Sequence, residues 1–445
     1  MAKTERDEIL EYVQKVMDKV GLSPDYAREI AANEHIQAHN FFPSPSVADG
    51  LNPPSLWRRI IFVPLRFFYR FNVQKLEQKL GSALDGMGVG YSFMIRRKKV
   101  AAAIRSSGWA QRPDDGDIPW RFDVPMDAGS VTKVITAAAV LRLLDAAGVS
   151  ETSPVLPYLP TYWGAPPGVE KITWRDLLRH ESGLGAAQNG SGPTTYKSGR
   201  EAIGGGVSDF GDPTKKPYAY KNANFIILRV AAAVLAGAID RTLQCTKTKY
   251  FMGIETSTSL DVTASDALWN GITAVWYIQY VNDNIFGPAG LWPRNLKSPP
   301  EAAKAYYYPS WGKGSRNEDA VDQAGAGGWH LDVNELTRLM DHIRRRGTIL
   351  TPARAKDMLF RHYGIDVEFG TAAGPVFSKN GRSTVKDDQC QDSMVLFMPG
   401  DLSLALFVNS APQGAPGTPA INNPAALSFT LMMLMVIASV EFSLF

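Results

Sequence analysis

From Val134 to Leu144 the chain carries a long apolar run that can only be a buried helix, and the segment that opens it is Gly129-Ser130-Val131-Thr132-Lys133. A serine and a lysine three residues apart at a helix start share one face, one turn apart. Ser130 then sits where backbone N–H groups point outward and the helix dipole favours negative charge, with the Lys133 ammonium in reach of its hydroxyl. That arrangement activates a serine without histidine. Ser-x-x-Lys also arises by chance, and serine at a helix start is ordinarily a cap. The company it keeps decides between these readings. Tyr220-Lys221-Asn222 stands at the start of a second apolar helix, Ala223 to Leu235, and Lys379-Asn380-Gly381 stands before a strand-like run, Met394 to Met398.

Further segments follow in order. Val89 to Ile95 and Val100 to Ile104, around Arg96-Arg97-Lys98-Lys99, read as an opening strand hairpin. Then come Pro157-Tyr158-Leu159-Pro160, the segment Ile172-Thr173-Trp174-Arg175-Asp176-Leu177-Leu178-Arg179-His180-Glu181-Ser182-Gly183-Leu184, and Gly325-Ala326-Gly327-Gly328 followed by Asp332. Together these segments, over roughly residues 76 to 412, resemble the serine β-lactamase and penicillin-binding-protein superfamily. The likeness is to its branch of class C β-lactamases, D-alanyl-D-alanine carboxypeptidases and family VIII carboxylesterases.

The resemblance implies an α/β (α+β) fold in which an antiparallel sheet flanked by helices is joined to a largely helical subdomain. The α/β part is expected over about 76–128 and 330–445 and the helical part over about 129–329, after a helical N-terminal extension over 1–75. It also implies roles. Ser130 attacks an ester or amide carbonyl, and Lys133 and Tyr220 share removal of its proton; which of the two is the base stays open. Asn222 fixes the substrate amide or the Lys133 ammonium, and the backbone N–H groups of Ser130 and Arg382 receive the oxyanion. Lys379, Asn380 and Gly381 line the substrate side, Gly381 permitting close approach. Asn380 departs from the family pattern, in which a threonine or serine supplies a hydroxyl to a substrate carboxylate. Lys379 keeps the charge, so an acidic substrate stays open while penicillin-like recognition is put in doubt. His180 is read as a hydrogen-bonding support.

The function expected is a serine hydrolase acting on a small ester or amide, carboxylesterase ahead of amidase or peptidase. The alternatives are a β-lactamase or D-stereospecific peptidase, an acyltransferase to an alcohol or amine, and a non-catalytic scaffold retaining the fold. No cofactor or metal is implied. His35 and His39 lie four apart beside Glu34, but the order is not that of a zinc helix. The chain has no Gly-x-Ser-x-Gly elbow, which counts against an α/β-hydrolase.

Composition narrows the partners. A formal net charge of +3, with basic residues scattered along the chain, gives no case for nucleic acid. Cys245 and Cys390 lie too far apart in sequence to be paired without geometry. The start, Met1-Ala2-Lys3-Thr4-Glu5-Arg6-Asp7-Glu8, lacks the apolar core of a secretory signal, so a cytoplasmic location is expected. Leu56 to Phe71 mixes aromatics with Arg58, Arg59, Arg66 and Arg70. It fits either an interfacial helix giving peripheral membrane contact or, preferred, a helix packed on the catalytic body with its arginines reaching water. Asn422 to Val440 is uncharged and is expected to be a buried helix rather than a membrane span. Gly185 to Lys216 is expected on the pocket rim, and the aromatics of Leu260 to Tyr280 and Tyr306 to Trp311 line either a pocket or the core.

Overall fold

The computed structural model describes residues 69–86, 88–184, 191–207, 217–251, 254–308, 312–386, 389–412, 436 and 439–442. Strand β1 (Tyr69–Phe71) leads into helix α1 (Val73–Leu84) and the hairpin β2 (Gly90–Arg97) and β3 (Val100–Gln111), followed by β4 (Ile118–Pro119) and β5 (Met126–Asp127). Helices α2 (Thr132–Ala147), α3 (Trp174–Leu178), α4 (Tyr196–Gly204) and α5 (Asn222–Leu235) come next. A hairpin of β6 (Thr246–Phe251) and β7 (Ile254–Leu260), helix α6 (Val262–Val281) and β8 (Tyr306–Tyr308) complete the middle of the chain. The last third supplies β9 (His330–Leu331), α7 (Val333–Arg344), α8 (Pro352–Phe360), β10 (Val367–Thr371) and β11 (Gly374–Thr384). It ends with β12 (Cys390–Met398), β13 (Leu402–Val408), β14 (Ser410–Pro412) and β15 (Val440–Phe442).

The main sheet runs β10-β11-β12-β13-β2-β3-β4, antiparallel along this path, so strands from both sides of the helical middle lie side by side. Strands β2, β12 and β13 are buried along nearly their whole length because both of their faces are covered. Phe93, Ile95, Leu396, Leu404 and Leu406 pack on one face with Leu76, Leu80 and Ala83 of α1. Met94, Val395, Phe397, Ala405 and Phe407 join the larger core on the other face, with residues of α2, α5, α6 and α7. The alternation is the period-2 pattern of a strand, and the α1 positions repeat at helical spacing. Each fully buried leucine of α1 contributes about 1.5–3 kcal/mol. Turns follow local chemistry: Lys98 at φ 56° turns β2 into β3, and Gly400 and Asp401, at φ 67° and 63°, turn β12 into β13.

The expected helical span also carries strands. Hairpin β6–β7 lies within it, and β8 pairs with β12 and, in parallel, with β14. Trp269 and Tyr277 of α6 are buried in the larger core, and the Tyr306 side chain is buried, so these aromatics pack rather than line a pocket. Among the described residues no helix is long and apolar enough to cross a membrane.

Two expectations at the ends change. Tyr69–Phe71, the end of the helix expected over Leu56–Phe71, is a strand paired antiparallel with Val440–Phe442. Its alternation buries Phe71 and leaves Arg70 exposed opposite Glu441, and cross-strand pairing overrides the helical pattern. Residues 1–68, including His35 and His39, lie outside the described residues. Within the helix expected over Asn422–Val440, Val436 is helical and buried against the α1 cluster, whereas Val440 begins β15. Residues 422–435 and 437–438 lie outside the described residues, as do 185–190 and 208–216 of the expected rim. No disulfide joins Cys245 and Cys390.

Candidate active site

Ser130 lies in a tight 3-10 turn, Gly129–Val131, that feeds directly into α2. Neither Ala128, which opens that turn, nor Val131, which opens α2, supplies a capping side chain. The turn is latched to the sheet: Asp127 accepts from the Gly129 N–H through Oδ1 at 2.8 Å and from Ser383 Oγ through Oδ2 at 2.8 Å. Ser393 Oγ donates to the Ala128 carbonyl at 2.7 Å. Gly129 adopts φ 48°, and a Cβ there would meet the Arg382 backbone at 3.0 Å. Reciprocally, a Cβ on Gly381 would come within 2.4 Å of the Ala128 carbonyl and 2.9 Å of the Ser130 nitrogen. Two glycines thus let the 129–131 turn and the free edge of β11 touch backbone to backbone.

Lys133, on the first turn of α2, is fully buried. Its ammonium donates to Ser130 Oγ at 3.0 Å, Asn222 Oδ1 at 2.9 Å and the Ala326 carbonyl at 2.7 Å, which uses all three of its protons. Burial holds its pKa below the ordinary lysine value, and the Lys379 charge pushes the same way while Tyr220 opposes both. Asn222, the first residue of α5, is oriented by donating from Nδ2 to the Gly192 carbonyl at 2.7 Å.

Tyr220 precedes α5 and donates to Ser130 Oγ at 2.7 Å. The Lys133 and Lys379 ammoniums lie 5.2 and 4.7 Å from its ring centroid, and Lys379 Nζ donates to its oxygen at 3.5 Å. Burial alone would raise the phenol pKa, but the two lysine charges outweigh it, and the net direction is downward. His180, at φ 57°, packs its ring 4.3 Å from that of Tyr220 and accepts at Nδ1 from the Lys221 N–H at 3.3 Å. Asn224 Nδ2 lies 3.1 Å from the same nitrogen, and Asn224 Oδ1 accepts from Ser182 Oγ at 2.6 Å. The sequence read His180 as such a support, and this is where it stands.

The structure therefore brings Ser130, Lys133, Tyr220, Asn222, Lys379 and Gly381 to one place. Lys379-Asn380-Gly381 is neither a turn nor a prelude to a strand; it lies inside β11, paired with β12. Strand alternation turns Asn380 and Arg382 to the face opposite Lys379 and Gly381. There Asn380 Oδ1 accepts from Ser378 Oγ at 3.3 Å, and the Arg382 guanidinium holds Asp392 at 2.8 and 2.9 Å. Neither side chain is hydrogen-bonded to Ser130, Lys133 or Tyr220; the Arg382 backbone is what adjoins the 129–131 turn.

Sequence reasoning missed Asp366. Both of its carboxylate oxygens accept from Lys379 Nζ at 2.7 Å, and this charge outweighs burial to raise the lysine pKa. No motif marks Asp366; only the β10–β11 pairing, continued by its N–H donating to the Ser378 carbonyl at 3.0 Å, sets it beside Lys379. The Ala326 carbonyl was also missed, although the glycines around it, Gly325 and Gly328 at φ 94° and 95°, were visible.

Comparison with known proteins agrees with this fold. The penicillin-binding-protein homologue of Pyrococcus abyssi, an octamer, superposes with a TM-score of 0.56 at 15% identity, over 81% of this chain and 77% of that one. The D-amino acid amidase of Ochrobactrum anthropi SV3, solved with L-phenylalanine amide, gives 0.53 at 15% identity, over 81% of this chain and 98% of the other. Among curated proteins, Esterase/beta-lactamase LipL of Mycobacterium tuberculosis is 39% identical over 77 residues, which is only 17% of either chain. The beta-lactamase family profile matches residues 74–382, well over half of the chain and the stretch from α1 to near the end of β11. By that match, and with the fold to support it, the chain belongs to the beta-lactamase family of serine hydrolases.

Proposed function

We propose that this protein cleaves a small ester through an acyl-enzyme on Ser130, with carboxylesterase chemistry ahead of amide cleavage. The observation that carries the reading is Ser130 Oγ itself, 3.0 Å from the Lys133 ammonium and 2.7 Å from the Tyr220 hydroxyl. In this reading Oγ attacks the carbonyl carbon while its proton passes to the Tyr220–Lys133 pair. The carbonyl oxygen becomes an oxyanion facing the backbone N–H groups of Ser130 and Arg382. Collapse expels the alcohol, protonated by Tyr220, and water releases the acid by the same steps. Asn222 holds Lys133 in place throughout.

Two lysine charges around one buried phenol favour phenolate, the form a general base needs at neutral pH. The ester preference draws on the name of the curated relative. The same name favours β-lactam hydrolysis as the second reading.

Intact-protein mass spectrometry after exposure to a fluorophosphonate, a p-nitrophenyl ester and a penicillin tests this, with Ser130→Ala as control. An adduct lost in the variant, with turnover of the ester and not the penicillin, is the expected result. Turnover of the penicillin selects the second reading, and no adduct with any probe removes Ser130 catalysis.

A further inference from the structure

Lys379 offers no open positive charge to a substrate. Its side chain is 1% exposed and bound to both oxygens of Asp366 at 2.7 Å, whereas the Asp366 side chain is 17% exposed. The carboxylate is therefore the partner nearer water, and the pair is neutral as a unit. The Asn380 N–H, 3.5 Å from Asp366 Oδ2, is turned to the same carboxylate. Asp366 is held there by the backbone, through its N–H on the Ser378 carbonyl at 3.0 Å, so its position does not depend on a long flexible side chain.

We propose that Asp366 determines substrate specificity: it occupies, from within the protein, the place on Lys379 that the carboxylate of an acidic substrate would take, so the site accepts acyl groups without negative charge. An acidic substrate must either displace Asp366 or share one ammonium with it. Displacement strips a carboxylate of its partner, and sharing sets two anions a few ångströms apart in a poorly hydrated site; both count against binding. This is rejection by an unfavourable contact rather than selection by a favourable one.

The inference rests on the Ser130 acyl-enzyme reading, and the test separates the two. The wild type, Asp366→Asn and Asp366→Ser are compared on p-nitrophenyl butyrate and on the mono-p-nitrophenyl ester of glutaric acid, whose acyl chain ends in a carboxylate. The ratio of kcat/KM, acidic over neutral, cancels any effect of the substitution on Tyr220, because that effect is common to both esters. Wild type is expected to prefer the neutral ester, and the variants to raise the ratio by about tenfold or more, the size of one lost like-charge contact. An unchanged ratio in both variants overturns the proposal. So does a wild type that takes the acidic ester as readily as the neutral one, a result that stands even if the variants fail to fold.

If neither ester turns over in any protein, the hydrolase reading has failed, and binding alone decides. Monomethyl glutarate, titrated calorimetrically into Ser130→Ala and into Ser130→Ala/Asp366→Asn, should bind the second about tenfold more tightly. Equal affinities would overturn the role of Asp366.

Discussion

Tyr220 is held between two ammonium groups, whose charges outweigh burial and pull its pKa below the ordinary phenol value. Replacing it with phenylalanine leaves the packing against His180 and removes the proton relay; kcat/KM on a p-nitrophenyl ester should fall about a hundredfold or more. Lys379→Met should act differently. It deletes one of the two charges that hold the phenol down and leaves the Asp366 carboxylate, which pushes it up. The acidic limb of the kcat/KM–pH profile should therefore move to higher pH, and a limb that stays put or moves down would exclude Tyr220 as the titrating group. At this scale the sequence was informative wherever a residue sits at a helix start, because Ser130, Lys133 and Asn222 are placed by their own helices. Lys379 was legible as a motif, but its charge state was not. Asp366 fixes that charge, and its position depends on strand pairing that no local pattern encodes.

Among the elements, β11 brings both Lys379 and Gly381 to the proposed site. Gly381 has an ordinary strand conformation, so its identity is set by crowding alone: an added Cβ meets Ser393 Oγ, the Ala128 carbonyl and the Ser130 nitrogen. Gly381→Ala must push the strand and the 129–131 turn apart. We expect about a hundredfold loss of esterase kcat/KM, the usual cost of one misplaced oxyanion donor, with a melting temperature that changes modestly. A variant with near wild-type turnover would show that the close approach is not needed. Lys-Asn-Gly has good turn chemistry, yet here it lies mid-strand, because pairing with β12 and contact with the 129–131 turn override local preference. The long helices α2 and α5 were legible, since nearly all their surfaces are buried and each apolar run is interrupted by a single charge, Arg142 and Arg229. The short ribbon of β1 and β15 was not, being three residues a side joined only through tertiary pairing.

For the molecule as a whole, one buried carboxylate sets a pH dependence of stability. Asp332 caps α7, its side chain accepting from the Glu335 N–H at 2.7 Å, while the Glu335 carboxylate binds Arg294. Burial, and then the Glu335 charge, push the Asp332 pKa up to about 7. The folded protein thus holds this proton more tightly than the unfolded chain does. Its stabilising contribution is complete below the ordinary carboxylate range and is lost as pH rises through about 7. Asp332→Asn keeps the cap and cannot ionise. Its stability relative to wild type, from urea titrations at pH 5 and pH 8, should improve toward pH 8, and a difference independent of pH would refute the buried-acid account.

The latch between the 129–131 turn and the sheet spans great lengths of chain: Asp127 and Ser383 are 256 residues apart, and Ala128 and Ser393 are 265 apart. A polypeptide emerging from the ribosome has therefore made Ser130, Lys133 and Tyr220 long before the strand that packs against the 129–131 turn exists. On the proposed reading, the chain carries these side chains without a complete site until its final third closes the sheet.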